Sequence, residues 1–179
     1  GDAASLRMFV SKGLNPLVAC SFAKNMGLYG ERIGALHVVT SDQTSAAATS
    51  SQFKIIARVV YSSPPRFGAM VAHRVMTDST LRILWENELK EMSGRINKMR
   101  SELRRLLEQK LPGTSWKHVT DQIGMFSYTG LTKDQVEHCA NPGAVFMLPT
   151  GRISMAGLND GNLEHTAKAF AGAIKACPV

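Results

Sequence analysis

One apolar stripe constrains this chain more than any other feature. Between Asp78-Ser79, a natural helix N-cap, and Pro112-Gly113, the residues Trp85, Leu89, Met92, Ile96, Met99, Leu103 and Leu106 recur at spacings of four, three, four, three, four and three. That period predicts a single α-helix over 79–111 with one apolar side. At 1.5 Å per residue it is about 50 Å long, longer than a compact domain of this size needs. Its other faces carry Arg82, Glu86, Lys90, Glu91, Arg95, Lys98, Arg100, Arg104, Arg105 and Lys110. Little more than three heptads with one apolar side is short for a coiled coil, so the helix is expected to be a spine joining two domains.

The flanks differ from one another. Before the spine the pattern predicts a helix over 2–12 ending at Gly13, a strand over 16–20, a polar loop, and a strand over 33–40. Helices over 42–60 and 66–77 follow, separated by Ser63-Pro64-Pro65, where proline removes an amide donor. The near-continuous apolar runs of both strands are those of strands buried on two faces, as in parallel α/β sheets. Two such strands make no stable sheet, so residues 1–65 read as the end of a larger α/β domain. After the spine come a strand near 123–129, a helix opened by Thr132 with Gln135 as capping-box partner, and a strand over 144–148. A turn at Pro149-Thr150-Gly151, a strand over 152–156 and a helix over 162–175 complete a small α+β unit. The expected organisation is an α/β remnant over 1–77, the spine over 78–111 and a small α+β domain over 112–179.

Composition removes several classes. With 179 residues, 44% of them hydrophobic, the chain can bury a real core, and no apolar run approaches a membrane span. Cys20, Cys139 and Cys177 are too scattered for a disulfide framework or a metal-spaced pair, which favours a reducing interior and no metal. The net charge is 21 − 14 = +7, but the positive residues peak on the spine and aromatics are only 7%, without the interleaving of a nucleic-acid surface. The start, Gly1-Asp2, lacks a methionine, and no signal peptide follows it.

The chemistry gathers around one loop. Lys24 follows a predicted strand among small and apolar residues, a setting for a desolvated, nucleophilic amine; from position alone the plainer reading is an exposed loop lysine. Ser21-Phe-Ala-Lys24 also fits the Ser-x-x-Lys pattern of penicillin-binding proteins. The companion motifs are missing, since only Ser41-Asp42-Gln43 and Tyr128-Thr129-Gly130 stand near their place. Ser21, Lys24 and Arg32 on one glycine-bearing loop would suit a phosphate: a hydroxyl donor, a positive charge and a guanidinium fork.

Ser21-Phe-Ala-Lys-Asn-Met-Gly-Leu-Tyr-Gly-Glu-Arg-Ile-Gly34 resembles the cofactor-lysine segment of the aspartate aminotransferases, closest to the eukaryotic type. The resemblance continues in Ile55-Ile-Ala-Arg-Val-Val-Tyr-Ser-Ser-Pro-Pro65, in Thr120-Asp-Gln-Ile-Gly-Met-Phe-Ser-Tyr-Thr-Gly-Leu131, and in Leu148-Pro-Thr-Gly-Arg-Ile-Ser-Met-Ala-Gly-Leu158. These motifs stand in the family's order and cover its C-terminal portion. The implied fold is the C-terminal part of a fold-type I pyridoxal-phosphate-dependent transferase, α/β and α+β: the end of the large α/β domain, a long interdomain helix and most of the small α+β domain.

The resemblance implies pyridoxal 5'-phosphate as cofactor, with Lys24 as its Schiff-base lysine and proton shuttle. It makes Ser21 and Arg32 ligands of the cofactor phosphate. Arg152 takes the position that clamps the substrate α-carboxylate, above a segment containing Phe126. Arg58 takes the position that grips the side-chain carboxylate in a partner subunit's site, which implies a homodimer acting on dicarboxylic amino and keto acids. The family's aspartate at the pyridine nitrogen, its ring tyrosine and its stacking aromatic would all lie upstream of Gly1. Where the family commonly has Ser-Asn-Pro-Pro, this chain has Ser62-Ser63-Pro64-Pro65. The expected function is transfer of an amino group between aspartate and 2-oxoglutarate, in the cytoplasm or mitochondrial matrix. The alternative is an inactive C-terminal piece serving only as a folded or dimerising module.

Overall fold

The computed structural model describes residues 3–178. Tertiary contacts divide the chain into two compact units, one up to Glu86 and the other from Asn87.

The first unit opens with α1 (Ala4–Ser11), which Gly13 ends in a left-handed conformation, φ 74°. Asp2, placed at the head of this helix from sequence, lies outside the described residues. Strands β1 (Leu17–Ser21) and β2 (Gly34–Val38) follow, then α2 (Gln43–Tyr61) and α3 (Phe67–Thr77). The two strands pair antiparallel, Leu17 opposite Val38 and Ser21 opposite Gly34. That corrects the parallel arrangement expected from their apolar runs. The runs report burial rather than direction, and both strands are largely exposed in this chain, Leu17 at 67% and Leu36 at 53%. Of their apolar residues only Val18, Ala35 and Val38 are partly covered within the described residues.

Asp42 caps α2. Its carboxylate accepts from the Ser45 amide at 2.7 Å and from the Ser41 and Ser45 hydroxyls at 2.7 and 2.8 Å. These bonds, the Ser45 amide foremost, pull its pKa down to about 2. The unfolded value is about 3.9, so the cap's contribution is full above that pH and is lost as pH falls toward 2. The difference in urea midpoint between the native chain and Asp42→Ala should therefore close between pH 5 and pH 2. A constant difference would contradict the charged cap.

The long helix expected over 79–111 forms as α4 (Ser79–Lys110), opened by Asp78, whose Oδ1 accepts from the Thr80 and Leu81 amides at 3.0 and 3.1 Å. In the second unit its buried face is Met99, Arg100, Leu103 and Leu107, continued by Leu111. This shifts the expected stripe: Leu107 replaces Leu106 at the centre, Met92 is 51% exposed, and Arg100 lies inside rather than on the polar face. Around that face pack Val119 of α5 (Lys117–Asp121), Val136 and Cys139 of α6 (Lys133–Ala140), and Phe170 of α7 (Leu163–Ala176). Helix α5 was not expected; five residues are too few to show a period. The Thr132–Gln135 capping box of α6 forms as read from sequence.

A two-stranded ribbon completes the unit: β3 (Phe126–Tyr128) antiparallel to β4 (Arg152–Ser154), with Tyr128 opposite Arg152. The strand expected over 144–148 does not form. Ala144 is left-handed at φ 51°, and the Val145 amide donates to the Cys139 carbonyl at 2.8 Å, so the segment spends its donor on α6 instead of a ladder. The strand expected over 152–156 stops at Ser154, where Met155–Gly157 tighten into a 3-10 turn.

Candidate active site

The loop between β1 and β2 is built at its neck. Ser21 pairs with Gly34 across the ladder, and the Phe22 amide donates to the Ile33 carbonyl at 3.0 Å. A side chain at Gly34 would collide with the Cys20 carbonyl, so only glycine allows this approach. Gly34→Ala should destabilise the protein by about 1–3 kcal/mol through overpacking. Urea unfolding would show it, and an unchanged midpoint would contradict the close approach.

Within this closed loop stand the residues singled out from sequence. The Ser21 hydroxyl accepts from the Ala23 amide at 3.1 Å, turning the chain just before Lys24. The Lys24 ammonium lies 3.8 Å from the centroid of the Tyr29 ring and hydrogen-bonds with the Tyr29 hydroxyl. Lys24 is exposed, so the small and apolar flanks do not by themselves desolvate it. Arg32 is left-handed at φ 50°, uncommon for a non-glycine residue, and its Nη1 donates to the Tyr29 carbonyl at 3.3 Å. The indole of Trp85, expected only as part of the apolar stripe, donates to the Asn25 carbonyl at 2.7 Å and fixes the backbone next to Lys24. Arg32 also borders a cleft of about 650 Å³ shared with Gly34, Tyr61 and Pro65.

Arg58 occupies the last turn of α2, and its Nη1 donates to the Ser62 hydroxyl at 2.8 Å. Ser62 is itself left-handed at φ 58° and opens the Ser-Ser-Pro-Pro segment. Around Arg58, Ile55, Ile56, Val59, Val60 and Tyr61 are each more than half exposed, Val59 at 80%.

In the second unit, period-two alternation sorts the ribbon. Ser127 and Ile153 point into the core, while Phe126, Tyr128, Arg152 and Ser154 share the outer face. The Arg152 guanidinium rests 4.6 Å from the centroid of the Phe126 ring, a cation–π contact between diagonal cross-strand neighbours. Gly151, left-handed at φ 78°, delivers the chain to Arg152, and its carbonyl accepts from both the Thr129 amide and hydroxyl, at 3.0 and 2.8 Å. Among the described residues no carboxylate pairs with Arg32, Arg58 or Arg152, which leaves each fork open to an anion. Tyr29 and Arg100 were not anticipated. Arg100 had a signal, since Ile96, Arg100, Leu103 and Leu107 follow the same four-three-four spacing as the core.

The family model for aminotransferase class I and II matches residues 1–170. The chain is 45% identical over 174 residues, 97% of its length, to the mitochondrial aspartate aminotransferase of Dictyostelium discoideum. It is 46% identical over 178 residues, 99% of its length, to the cytoplasmic aspartate aminotransferase of Schizosaccharomyces pombe. It covers 41% and 43% of those relatives' own lengths, about two-fifths. The structure of aspartate aminotransferase from Trypanosoma cruzi superposes with a TM-score of 0.91 at 43% identity, covering 98% of this chain and 45% of that one. An aromatic-amino-acid aminotransferase from Burkholderia pseudomallei, covalently bound to pyridoxal phosphate, superposes with a TM-score of 0.92 at 40% identity, covering 96% and 43%. The chain belongs to the class I and II aminotransferases, and its fold is the C-terminal part of the fold-type I transferase architecture. Among the described residues no helix is long and apolar enough to cross a membrane.

Proposed function

We propose that this chain is the lysine-bearing C-terminal part of an aminotransferase that exchanges the amino group between aspartate and 2-oxoglutarate through pyridoxal 5'-phosphate. The observation that carries the reading is the closed β1–β2 loop, which presents an amine, a hydroxyl and a guanidinium together. That donor set fits the cofactor: Lys24 for its aldehyde, Ser21 and Arg32 for its phosphate. When bound, the cofactor supplies the electron sink for charge developing at the substrate Cα.

On this reading Lys24 anchors the cofactor and then carries the proton at Cα. Tyr29, in contact with the Lys24 ammonium, restricts where that amine can swing. Arg152, backed by Phe126, takes the α-carboxylate in a bidentate fork. Arg58 takes the second carboxylate of a dicarboxylic substrate. The exposed apolar face around it supports a homodimer in which Arg58 serves the partner's site. The same face supports a second reading, in which the chain alone is only a folded or dimerising module. Residues 1–77 then belong to the cofactor domain, 78–111 to the spine and 112–179 to the small domain. Relatives carry both mitochondrial and cytoplasmic names, so either compartment fits.

The test is an assay of the holoenzyme that carries this chain, with aspartate, phenylalanine and alanine as amino donors to 2-oxoglutarate. Aspartate should have the highest kcat/KM. Far better turnover of phenylalanine or alanine would overturn the dicarboxylic assignment. Pyridoxal phosphate added to the chain alone should give a lysine-bound absorbance band, and a featureless spectrum would favour the module.

A further inference from the structure

We propose that Arg100 is a positioning residue for substrate recognition: it fixes the backbone beneath Phe126 and, through that ring, the guanidinium of Arg152. The inference rests on the reading of Arg152 as the α-carboxylate clamp.

Arg100 is 3% exposed and points from α4 into the segment that precedes and includes β3. Its Nη1 donates to the Val119 carbonyl at 2.7 Å and the Ser127 hydroxyl at 3.3 Å. Its Nη2 donates to the Gly124 and Phe126 carbonyls at 2.9 and 2.6 Å. One planar group thus collects acceptors from the middle of α5, the turn before β3 and the ribbon. Burial lowers the pKa of the guanidinium from its ordinary value, yet no carboxylate among the described residues accompanies it. A buried charge without a counter-ion is poor value as a stabiliser, because an apolar side chain of similar volume avoids its desolvation. What the guanidinium does supply is geometry, since a fixed fork dictates where several carbonyls stand relative to one another.

The segment it fixes needs such a device. Residues 122–125 belong to no helix or strand, yet they lead directly into Phe126. Gln122 helps from the other side: its Oε1 accepts from the Tyr128 amide at 2.7 Å and its Nε2 donates to the Tyr128 carbonyl at 3.0 Å, so the side chain acts as a strand neighbour for β3. The Phe126 carbonyl held by Arg100 belongs to the residue whose ring supports Arg152. Arg100 therefore sits behind the ribbon and Arg152 on its front, with Phe126 between them. No other cation touches this segment's carbonyls at 119, 124 and 126 among the described residues. A lysine at position 100 would keep the charge and lose the fork, since one ammonium cannot reach all of these acceptors together.

The test measures the Kd of succinate, a dicarboxylate without an amino group, by calorimetry on the holoenzyme carrying this chain. Arg152→Ala should weaken succinate by on the order of thirtyfold or more, as expected for a lost charge pair. Arg100→Lys should weaken it by about tenfold, less than removal of the clamp, because a misplaced Arg152 guanidinium keeps part of its charge-assisted pairing. In a Phe126→Leu background the same Arg100→Lys change should cost less than about twofold, because the route through the ring is already gone. A residue with a merely structural role would lower the thermal midpoint and leave succinate affinity intact. Arg100→Lys that binds succinate as the parent does, or whose loss is undiminished in the Phe126→Leu background, overturns the proposal. Should Arg100→Lys not fold, Phe126→Leu alone decides, and unchanged affinity there overturns it as well. If Arg152→Ala itself leaves succinate binding unchanged, the clamp reading fails and the proposal falls with it; a loss in Arg152→Ala without one in Arg100→Lys removes only the proposal.

Discussion

Replacing Lys24 by alanine in the holoenzyme that carries this chain is expected to lower kcat with aspartate by on the order of 10⁴-fold or more. Two losses combine in that figure. The covalent anchor of the cofactor disappears, and so does the base that moves the Cα proton; proton transfer alone is worth up to about 10⁴-fold. Tyr29, in contact with Lys24, offers only a phenol hydroxyl in place of an amine. Kinetic measurement of aspartate turnover, together with exchange of its α-hydrogen in deuterated water, separates the two steps. Exchange should fall with turnover. A loss below about tenfold would remove Lys24 from the chemistry.

The second large effect separates the two substrate arginines. Arg152 is expected to meet the α-carboxylate that every amino acid carries, whereas Arg58 meets only a side-chain carboxylate. Arg58→Ala should therefore lower kcat/KM for aspartate and glutamate and spare phenylalanine. Arg152→Ala should depress all three together. A charge-assisted pair lost from a closed site costs about 2–5 kcal/mol, so the discrimination should change by roughly thirtyfold to several thousandfold. The surroundings already differ: Arg152 is braced by an aromatic ring, and Arg58 stands on an exposed apolar helix face with a serine hydroxyl as its partner. Equal losses on aspartate and phenylalanine in Arg58→Ala would make it an ordinary interface residue. This contrast also bears on the relatives, whose names divide between aspartate and aromatic amino acids.

Long-period features were legible in the sequence because many residues vote for them. The spine helix was read within one residue of its end, since its seven apolar positions share one period. The capping box at Thr132 was equally readable, because both partners are local. Features decided by distant contacts were not. The pairing direction of β1 and β2 depends on how the loop from Ser21 to Gly34 closes, and apolar runs say nothing of that. The segment from Ala144 to Leu148 has the composition of a strand, yet the Cys139 carbonyl takes the donor a ladder would need.

The site divides in the same way. Lys24, Ser21, Arg32, Arg58, Phe126 and Arg152 are singled out by their motifs as candidates, and the structure adds the local contacts of each. The Trp85 indole beside Lys24 and the Arg100 fork behind Phe126 come from the spine, 60 residues from Asn25 in one case and 26 from Phe126 in the other. Periodicity assigned Trp85 to the apolar stripe by its ring and missed its N–H. It assigned Arg100 to the surface by its charge, although its spacing matched the core.

The central claim is that Lys24 is the residue that holds pyridoxal phosphate. The holoenzyme carrying this chain is treated with borohydride, which makes the link to the amine permanent, then digested and its peptides weighed. The pyridoxyl-phosphate mass should appear on the peptide containing Lys24 and on no other. Its appearance on a different lysine, or its absence from every peptide of a preparation that turns over aspartate, would contradict the account.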